Sequence, residues 1–381
     1  MAKFELIATT AFGLESVVAR EVKQLGFEGV NVENGRVVFS GDEAGICRAN
    51  LWLRSADRVL VKMGEFRART FEELFEGTKA LNWTDWLPED GNFPVEGKSL
   101  NSTLFSVPDC QAIVKKAVVE KMKQKYRRSW FEEQGPRYKI EVALLKDTAT
   151  LTIDTSGAGL HKRGYRQLVG QAPLKETLAA ALVSLSRWRE DRALIDPFCG
   201  SGTIPIEAAL IALNIAPGLK REFAASKWPN VPANLWREAR DEANSHIRQD
   251  LSLKIIGTDI DGEVLSLARH HARQAGVERY IHFQQLPVSE IRSSHKYGWV
   301  LCNPPYGERL GDPQEAAALY TEMKQAFKSL DTWSFYVLTA YPEFEHLFGR
   351  RADKRRKLYN GRLECQFYQF FGPKPPRPDK D

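Results

Sequence analysis

The pattern of apolar and polar positions divides the chain into two parts with different periodicities. In the first part, short alternating runs typical of strands are mixed with amphipathic runs of helical period. Strands are predicted at 4–9, 58–64, 138–145 and 149–153, within 93–105, and as a hairpin at 30–39. Helices are predicted at 14–25, 42–53, 70–81 and 108–126. This part therefore predicts a ferredoxin-like unit followed by a second small α/β region.

From residue 174 onward, strand and helix patterns alternate strictly. Strands are predicted at 193–196, 254–259, 280–284, 299–302 and 334–339. Helices are predicted at 174–185, 203–213, 262–275, 315–330 and 342–348. Such alternation predicts a doubly wound parallel sheet. Residues 216–252 interrupt it as an insertion, which is predicted to be helical around 232–246.

The end of the chain predicts a β-hairpin with strands at 356–359 and 363–371, joined by Asn360-Gly361. Asn-Gly is a strong hairpin signal because both residues accept positive φ. A seventh strand that enters antiparallel beside a parallel sheet distinguishes the methyltransferase form of this fold from dinucleotide dehydrogenases. The predicted fold class is therefore α/β: a seven-stranded Rossmann-like methyltransferase sheet with an antiparallel last strand, preceded by an α+β region.

Composition limits the class of protein. At 381 residues, with 43% hydrophobic and 27% charged residues, the chain is typical of a soluble protein of two or three domains. It has no apolar run of about 18 residues and no signal-peptide core, so a cytoplasmic location without membrane contact is expected. Its five cysteines and seven histidines show no metal-ligand spacing, so neither a metal site nor a disulfide framework is expected. The net charge of +5 permits a polyanionic partner.

A candidate catalytic segment, Asn303-Pro304-Pro305-Tyr306, follows the apolar run 299–302. Its two prolines fix φ and remove two backbone donors, so the segment must be extended and rigid. It would lie at the carboxyl end of a parallel strand, which is where open α/β sheets bind ligands.

The chemistry of this segment fits a planar group that carries an exocyclic NH2. The amide oxygen of Asn303 and the carbonyl of Pro304 would accept the two amino hydrogens, while the ring of Tyr306 stacks on the planar face. We therefore predict catalytic roles for Asn303, Pro304, Pro305 and Tyr306. The alternative is a proline-rich turn with no chemical role.

A candidate cofactor loop, Asp196-Pro197-Phe198-Cys199-Gly200-Ser201-Gly202-Thr203, follows the first strand of the predicted parallel sheet. Its two glycines allow a ligand to approach the backbone and the amides of the next helix. Pro205 stands where the dehydrogenase fingerprint requires glycine, and no G-K-[ST] follows, so NAD and P-loop nucleotides are disfavoured. The Asp196 carboxylate would repel a pyrophosphate but attract an ammonium. S-adenosylmethionine carries both an ammonium and a sulfonium.

The next two strands supply further candidate cofactor contacts. Asp259 ends the second strand, where an acid accepts hydrogen bonds from ribose hydroxyls. Ile260 and Asp261 follow it, and Asp261 could equally serve as a helix N-cap. Gln284 and Gln285 end the third strand, where either could hold an adenine amino group; we predict Gln285. Asn303 completes the predicted cofactor set.

In combination, several segments resemble the THUMP-domain RNA methyltransferases of the Rossmann-like S-adenosylmethionine class, within the UPF0020 family. The closest match is the RlmL type, guanine N2-methyltransferases of 23S rRNA, without the second methyltransferase unit fused in some members. The segments that carry the resemblance are 161–166, 172–177, 196–203, 258–259, 303–309 and 358–362. This sequence departs from the family pattern near Gln285, where it lacks the acidic residue of the family. The departure concerns only the predicted contact with the adenine.

The resemblance implies three regions along the chain: a ferredoxin-like segment at 1–56, a THUMP RNA-binding domain at 57–158 and a methyltransferase domain at 159–372. The composition of the tail at 373–381 predicts that it is disordered. The resemblance further implies S-adenosylmethionine as the cofactor and RNA as the partner, with ribosomal RNA favoured. The basic helix 111–125 and the strand around 98–102 would then contact RNA, although a lysine-rich face is more often simply solvated. Monomer and homodimer both remain open.

Other functions are compatible with the same motifs. Similar Asn-Pro-Pro-Tyr loops serve adenine N6 in DNA or RNA, guanine N2 in tRNA, and glutamine amides in proteins. A basic first half would have no role in an enzyme that acts on protein glutamine. A ribosome assembly factor that binds RNA without catalysis is the alternative from another class, and the intact acceptor and cofactor residues argue against it.

Overall fold

The computed structural model describes residues 3–166, 174–305 and 313–376. The chain forms two compact units, and neither is a single continuous stretch of sequence. The first contains the chain start up to Thr10, Val18–Leu160 and Arg221–Ala243, and the second contains the remainder. Tyr306 and residues 377–381 of the predicted tail lie outside the described residues.

The first unit is built on one seven-stranded sheet. Its strands are β1 Phe4–Thr9, β2 Glu28–Glu33, β3 Arg36–Gly41, β4 Arg58–Arg67, β5 Val95–Leu100, β6 Lys139–Leu145 and β7 Thr148–Asp154. They lie in the order β2-β3-β1-β4-β7-β6-β5, and β5–β6 is the parallel pair. Because β4 pairs with both β1 and β7, the two α/β regions predicted as separate share this sheet.

The helices of the first half lie close to their predicted positions. They are α1 Glu15–Gln24, α2 Glu43–Trp52, α3 Phe71–Ala80 and α4 Val107–Tyr126, with a 3-10 turn at Trp83–Asp85. Thr70 caps α3 in a capping box with Glu73, which explains its sharp start. Within 93–105 the strand is shorter than predicted, because Asn101 adopts a left-handed conformation (φ 50°) and ends it.

The segment Arg221–Ala243 belongs to the first unit although it lies inside the predicted methyltransferase region. The Trp228 ring stacks on Tyr138, with 4.4 Å between centroids. Its indole nitrogen donates to the Arg137 carbonyl at 2.9 Å, and the Ala225 amide donates to the Thr155 carbonyl at 3.0 Å. A segment predicted as an insertion thus completes the core of the first unit.

The second unit has the predicted methyltransferase topology. Its strands are β8 Leu194–Asp196, β9 Ile255–Asp259, β10 Ile281–Gln285, β11 Trp299–Cys302, β12 Ser334–Thr339, β13 Lys354–Asn360 and β14 Leu363–Phe370. They lie in the order β10-β9-β8-β11-β12-β14-β13. The first five are parallel, and β14 is antiparallel to both of its neighbours. The hairpin turn pairs Asn360 with Leu363, as Asn360-Gly361 predicts.

Apolar side chains from the helices cover both faces of this sheet. The helices of the second unit are α5 Glu176–Ser186, α6 Thr203–Ala212, α8 Gly262–Ala275, α9 Pro313–Phe327 and α10 Phe344–Phe348, while α7 Ala233–Ser245 belongs largely to the first unit. Short 3-10 turns lie at Ala224–Lys227, Glu278–Tyr280 and Val288–Glu290. Among the described residues, we find no helix whose length and apolar character would let it cross a membrane.

The strand order fixes where a ligand can bind. The chain runs from β8 outward to β9 and β10, then returns to β11 on the other side of β8. The carboxyl ends of β8, β9 and β11 therefore meet at a topological switch point, which is the usual ligand crevice of such sheets. Asp196, Asp259 and Asn303 end or follow these three strands.

Candidate active site

The predicted cofactor loop is a tight turn between β8 and α6. Gly202 has φ +82°, and a Cβ there would lie 3.1 Å from the Ala268 Cβ and 3.2 Å from the Phe283 ring. Both the backbone conformation and the space therefore require glycine. Gly200 also has positive φ (+49°), but a Cβ there would meet no atom within 4 Å. The backbone at Gly200 thus faces open space that a ligand can use.

Asp196 lies at the end of β8 and is only 1% exposed. One of its oxygens accepts a hydrogen bond from the Phe198 amide at 3.1 Å. Burial raises the pKa of the Asp196 carboxyl well above its ordinary range, and the negative charge of Asp259 raises it further. A cationic ligand would reverse this penalty, because an adjacent positive charge favours the ionised carboxylate.

Asp259 connects the glycine turn to the end of β9. Its Oδ2 accepts from the Gly200 amide at 2.9 Å, and its Oδ1 accepts from the Asp261 amide at 3.1 Å. The Cys199 amide donates to the Thr258 carbonyl at 2.9 Å beside this pair. The residue predicted to bind ribose therefore also holds the turn in place.

The residues after β9 form a second edge of the crevice. Asp261 caps α8 by accepting from the Glu263 amide at 2.8 Å, which is the N-cap alternative seen in the sequence. Ile260 is 72% exposed and presents an apolar surface. The Gln285 side-chain amide donates to the Ile260 carbonyl at 2.9 Å, which places Gln285 beside that surface. Gln284 is also exposed at the end of β10.

Asn303 follows β11 at the centre of the sheet edge. Its side-chain Oδ1 is buried and has no hydrogen-bond partner in the described part of the chain. Buried carbonyl oxygens are usually satisfied, so an orphan oxygen marks a position where a ligand donor is expected. Pro304 is buried, and the Pro305 carbonyl accepts a hydrogen bond from the Tyr320 hydroxyl at 3.4 Å. Tyr306, the predicted stacking residue, is outside the described residues.

The segment 161–166 has a role that the sequence did not reveal. Glu207, on α6, is fully buried. It accepts hydrogen bonds from Tyr165 at 3.1 Å and from Arg163 at 3.4 Å. Arg166 pairs with Glu176, the first residue of α5, at 3.2 Å. These contacts fix the two helices next to β8, and the lone carboxylate in the otherwise apolar α6 was the available signal.

The comparison with protein families decides the identity of this fold. A family model described as the RMKL-like methyltransferase domain, UPF0020, matches residues 163–369. The chain belongs to this methyltransferase family. Further models match the RlmL ferredoxin-like domain at 5–60 and the THUMP domain at 68–154. The resemblance inferred from the sequence motifs is thereby confirmed.

Similar proteins cover nearly the whole length of this methyltransferase. "Putative RNA methyltransferase YpsC" of Bacillus subtilis (strain 168) is 52% identical over 373 residues, covering 97% of each chain. A crystal structure of "a predicted N6-adenine-specific DNA methylase" from Listeria monocytogenes str. 4b F2365 is 55% identical with a TM-score of 0.94, covering 98% of this chain and 97% of that one. The structure of SMU.472, "a putative methyltransferase complexed with SAH", is 46% identical with a TM-score of 0.94, covering 99% and 100%.

Proposed function

We propose that this methyltransferase transfers a methyl group from S-adenosylmethionine to the exocyclic N2 amine of a guanine in 23S rRNA. S-adenosylmethionine is the cofactor implied by the methyltransferase family and by the SAH complex of the 46% identical SMU.472 structure. The buried Oδ1 of Asn303, which has no hydrogen-bond partner among residues 3–166, 174–305 and 313–376, is the observation that carries the acceptor side of the proposal. RNA as the substrate class is supported by the THUMP domain and by the name of the Bacillus relative.

The crevice residues fit S-adenosylmethionine. The buried Asp196 carboxylate would pair with its ammonium, in the open space next to Gly200. A carboxylate offers about four acceptor positions, so Asp259 can accept ribose hydroxyls while it holds the turn amides. The exposed Ile260 and the neighbouring Gln285 would contact the adenine. Bound there, the cofactor supplies an electrophilic methyl group.

The amine that receives the methyl group carries two hydrogens, and hydrogen bonds to these hydrogens can activate it. Such an amine is a poor nucleophile because its lone pair is delocalised into the ring. If Asn303 Oδ1 and the Pro304 carbonyl accept its two hydrogens, the nitrogen moves toward a tetrahedral arrangement and the lone pair localises. The hydrogen bond would also give Asn303 Oδ1 a donor, and a typical hydrogen bond of this kind contributes about 0.5–1.5 kcal/mol net.

Tyr306 and the rigid turn would hold the base. We assign Tyr306 to stacking on a flipped-out guanine, an interaction worth about 1–3 kcal/mol in single-strand binders. The two prolines fix φ at positions 304 and 305, which limits the conformations open to the acceptors before the substrate arrives and lowers the cost of alignment. No strong general base is required before the bond forms, since the amine loses its proton after methylation.

The first unit would supply RNA affinity. Contacts within the unit reduce the number of lysines on α4 that are available to bind RNA phosphates. Three lysines of the basic helix α4 make contacts within the unit. Lys115 pairs with Glu133 at 2.5 Å, Lys123 pairs with Glu120 at 2.8 Å, and Lys125 donates to the Thr84 carbonyl at 2.7 Å. Phe105 and Trp130 are among the most exposed aromatic residues described, and exposed rings stack readily on unpaired bases.

Adenine N6 is the second candidate acceptor, because the similar Listeria protein is described as a predicted N6-adenine-specific DNA methylase. The experiment that separates the two uses purified protein, methyl-labelled S-adenosylmethionine and rRNA from a strain that lacks the enzyme. Nucleoside mass spectrometry should find N2-methylguanosine, with no label in double-stranded DNA. If the product is N6-methyladenosine, the methylated base is adenine and the guanine N2 proposal is wrong. If label appears in DNA alone, the proposal of an RNA substrate is wrong.

A further inference from the structure

Tyr320, in the middle of α9, is fully buried next to the acceptor turn. Its hydroxyl lies 2.9 Å from Thr339 Oγ1 and 3.4 Å from the Pro305 carbonyl oxygen. Thr339 ends β12 and is itself fully buried. The Tyr320 ring is held by Phe344, at 5.0 Å between centroids, and by Tyr341, at 5.3 Å. The hydroxyl therefore has a fixed position between the sheet and the turn.

The direction of the hydrogen bonds follows from the donors available. Thr339 Oγ1 already accepts from the Tyr341 amide at 3.1 Å, and its single hydrogen can be donated to the Tyr320 oxygen. The Tyr320 hydrogen can then go to the Pro305 carbonyl, which is only an acceptor. The reverse order would leave that carbonyl without this donor. The chain of donation thus runs from Thr339 through Tyr320 to Pro305.

We propose that Tyr320, oriented by Thr339, is a positioning residue for methyl transfer: it fixes the Pro305 carbonyl and so sets the orientation of the Asn303–Pro304 acceptors. This inference rests on the proposed role of that turn. The prolines constrain φ within the turn, but a carbonyl can still rotate about ψ. The 3.4 Å hydrogen bond to the Pro305 carbonyl restricts rotation about ψ of Pro305 and so restrains the turn that carries the acceptors. An error of about 1 Å in a reacting group can cost about a hundredfold in rate.

The environment of Tyr320 excludes an acid-base role. Burial raises the pKa of its hydroxyl to about 12, so the group stays protonated and donates throughout the physiological range. Its place in the apolar cluster around α9 separates it from solvent. The residue can therefore orient the turn without exchanging a proton with the substrate.

The test compares Tyr320→Phe with Thr339→Val and Thr339→Ser. With rRNA from a strain lacking the enzyme as substrate, Tyr320→Phe and Thr339→Val should each lower kcat about tenfold to a hundredfold. The Kd for S-adenosylmethionine and the KM for RNA should stay within about twofold. Thr339→Ser keeps the hydroxyl and should restore most of the rate. The double variant should lose no more than either single variant, because both act through one chain of hydrogen bonds.

Tyr336→Phe is the matched control, since Tyr336 is a buried tyrosine on the same strand as Thr339 and pairs in register with Leu301. Its kcat should equal that of the wild type. If Tyr320→Phe lowers kcat no more than Tyr336→Phe, or if Thr339→Ser fails like Thr339→Val, the positioning role is wrong. An active Asn303→Ala protein would instead overturn the proposed function, so the two failures are distinguishable.

Discussion

The backbone amide of Gly200 donates to a carboxylate oxygen of Asp259 across 2.9 Å, although the two residues are far apart in sequence. This hydrogen bond joins the turn after β8 to the end of β9. The second oxygen of Asp259 accepts from the Asp261 amide at 3.1 Å. One side chain thus shapes the crevice and leaves acceptor positions open on both oxygens.

Replacing Asp259 should therefore weaken cofactor binding by two routes. In Asp259→Asn one oxygen becomes an NH2 group, which cannot accept from a backbone amide or a ribose hydroxyl. We expect the Kd for S-adenosylmethionine to rise at least tenfold, or about 1.4 kcal/mol, in calorimetry. Glu263→Gln removes a charge from the first turn of α8 without altering these hydrogen bonds and should bind normally. If Asp259→Asn and Glu263→Gln bind S-adenosylmethionine equally well, Asp259 does not contact the cofactor.

Asn303→Ala should abolish turnover while S-adenosylmethionine binding stays near normal. The substitution removes an acceptor for the amine but no contact assigned to the cofactor's charged groups. Since Oδ1 has no partner among the described residues, the melting temperature should be unchanged or higher. Methyl-transfer assays, calorimetry and thermal melts check the three expectations. A parallel loss of binding and turnover would refute the assigned role.

Cofactor binding should release a proton through Asp196. Burial raises the pKa of this carboxyl, so the free protein holds the proton to a higher pH than usual. A cationic ligand binds the ionised form, and affinity should therefore rise with pH until the carboxyl is ionised without ligand. Titrations over a series of pH values, each in two buffers of different ionisation enthalpy, measure the proton released. Asp196→Asn should bind weakly and release none, whereas wild-type binding without proton release at every pH of the series would contradict the assignment.

Glu176 should make the stability of the second unit depend on pH. Burial raises the pKa of this carboxyl to about 7, despite its pairing with Arg166 at 3.2 Å. The folded state therefore holds the proton more tightly than the unfolded state, and the free energy of unfolding falls as pH rises from about 4.5 to about 7. The fall should be roughly 3 kcal/mol.

Glu176→Gln should remove this part of the pH dependence. Denaturant unfolding of both proteins at pH 5 and pH 8 gives the comparison, because the other titrating groups cancel in the difference. The variant leaves Arg166 without its carboxylate partner, a cost that does not vary with pH in this range. Identical pH profiles for the two proteins would show that the pKa of Glu176 is the same in the folded and unfolded states, which would contradict this prediction.

The basic run 350–357 has fewer available charges than its sequence suggests. Three of its cations pair with nearby acids: Arg350 with Asp353, Arg355 with Glu345, and Lys357 with Glu364. Arg351 and Lys354 are exposed. If they contact phosphates, reversing both to Glu should lower the slope of log affinity against log salt by about one unit per contact. Cofactor binding should not change.

A matched control carries the same change in net charge elsewhere on the second unit. Lys296→Glu with Lys328→Glu alters two exposed lysines outside the run. This control should keep the wild-type salt slope in filter binding to rRNA. If both double variants show the same slope, the run makes no specific phosphate contact and net charge alone explains the effect.

Local patterns predicted much of the second unit. The strands Trp299–Cys302 and Ser334–Thr339 and the helix Gly262–Ala275 have the predicted bounds, because alternation and helical period act over short stretches. Long-range pairings were not predictable in this way. The buried contact between Arg163 and Glu207 joins two segments with no shared periodicity. The pairing of β4 with both β1 and β7 likewise depends on tertiary packing.

Each unit contains a segment from the other part of the sequence, Arg221–Ala243 in the first unit and Ala11–Val17 in the second. This arrangement limits the order in which the units can fold during translation and the fragments that can fold alone. Trp228 and Trp236 belong to the core of the first unit, so that core cannot close during translation until residue 243 has been synthesised. By then β8 and α6 of the other unit already exist. A fragment that stops at residue 160 would lack both tryptophans and expose the Tyr138 ring on which Trp228 stacks. A gene fusion that transfers only one unit to another protein would have to include the segment that this unit takes from the other part of the sequence. This segment is Arg221–Ala243 for the first unit and Ala11–Val17 for the second.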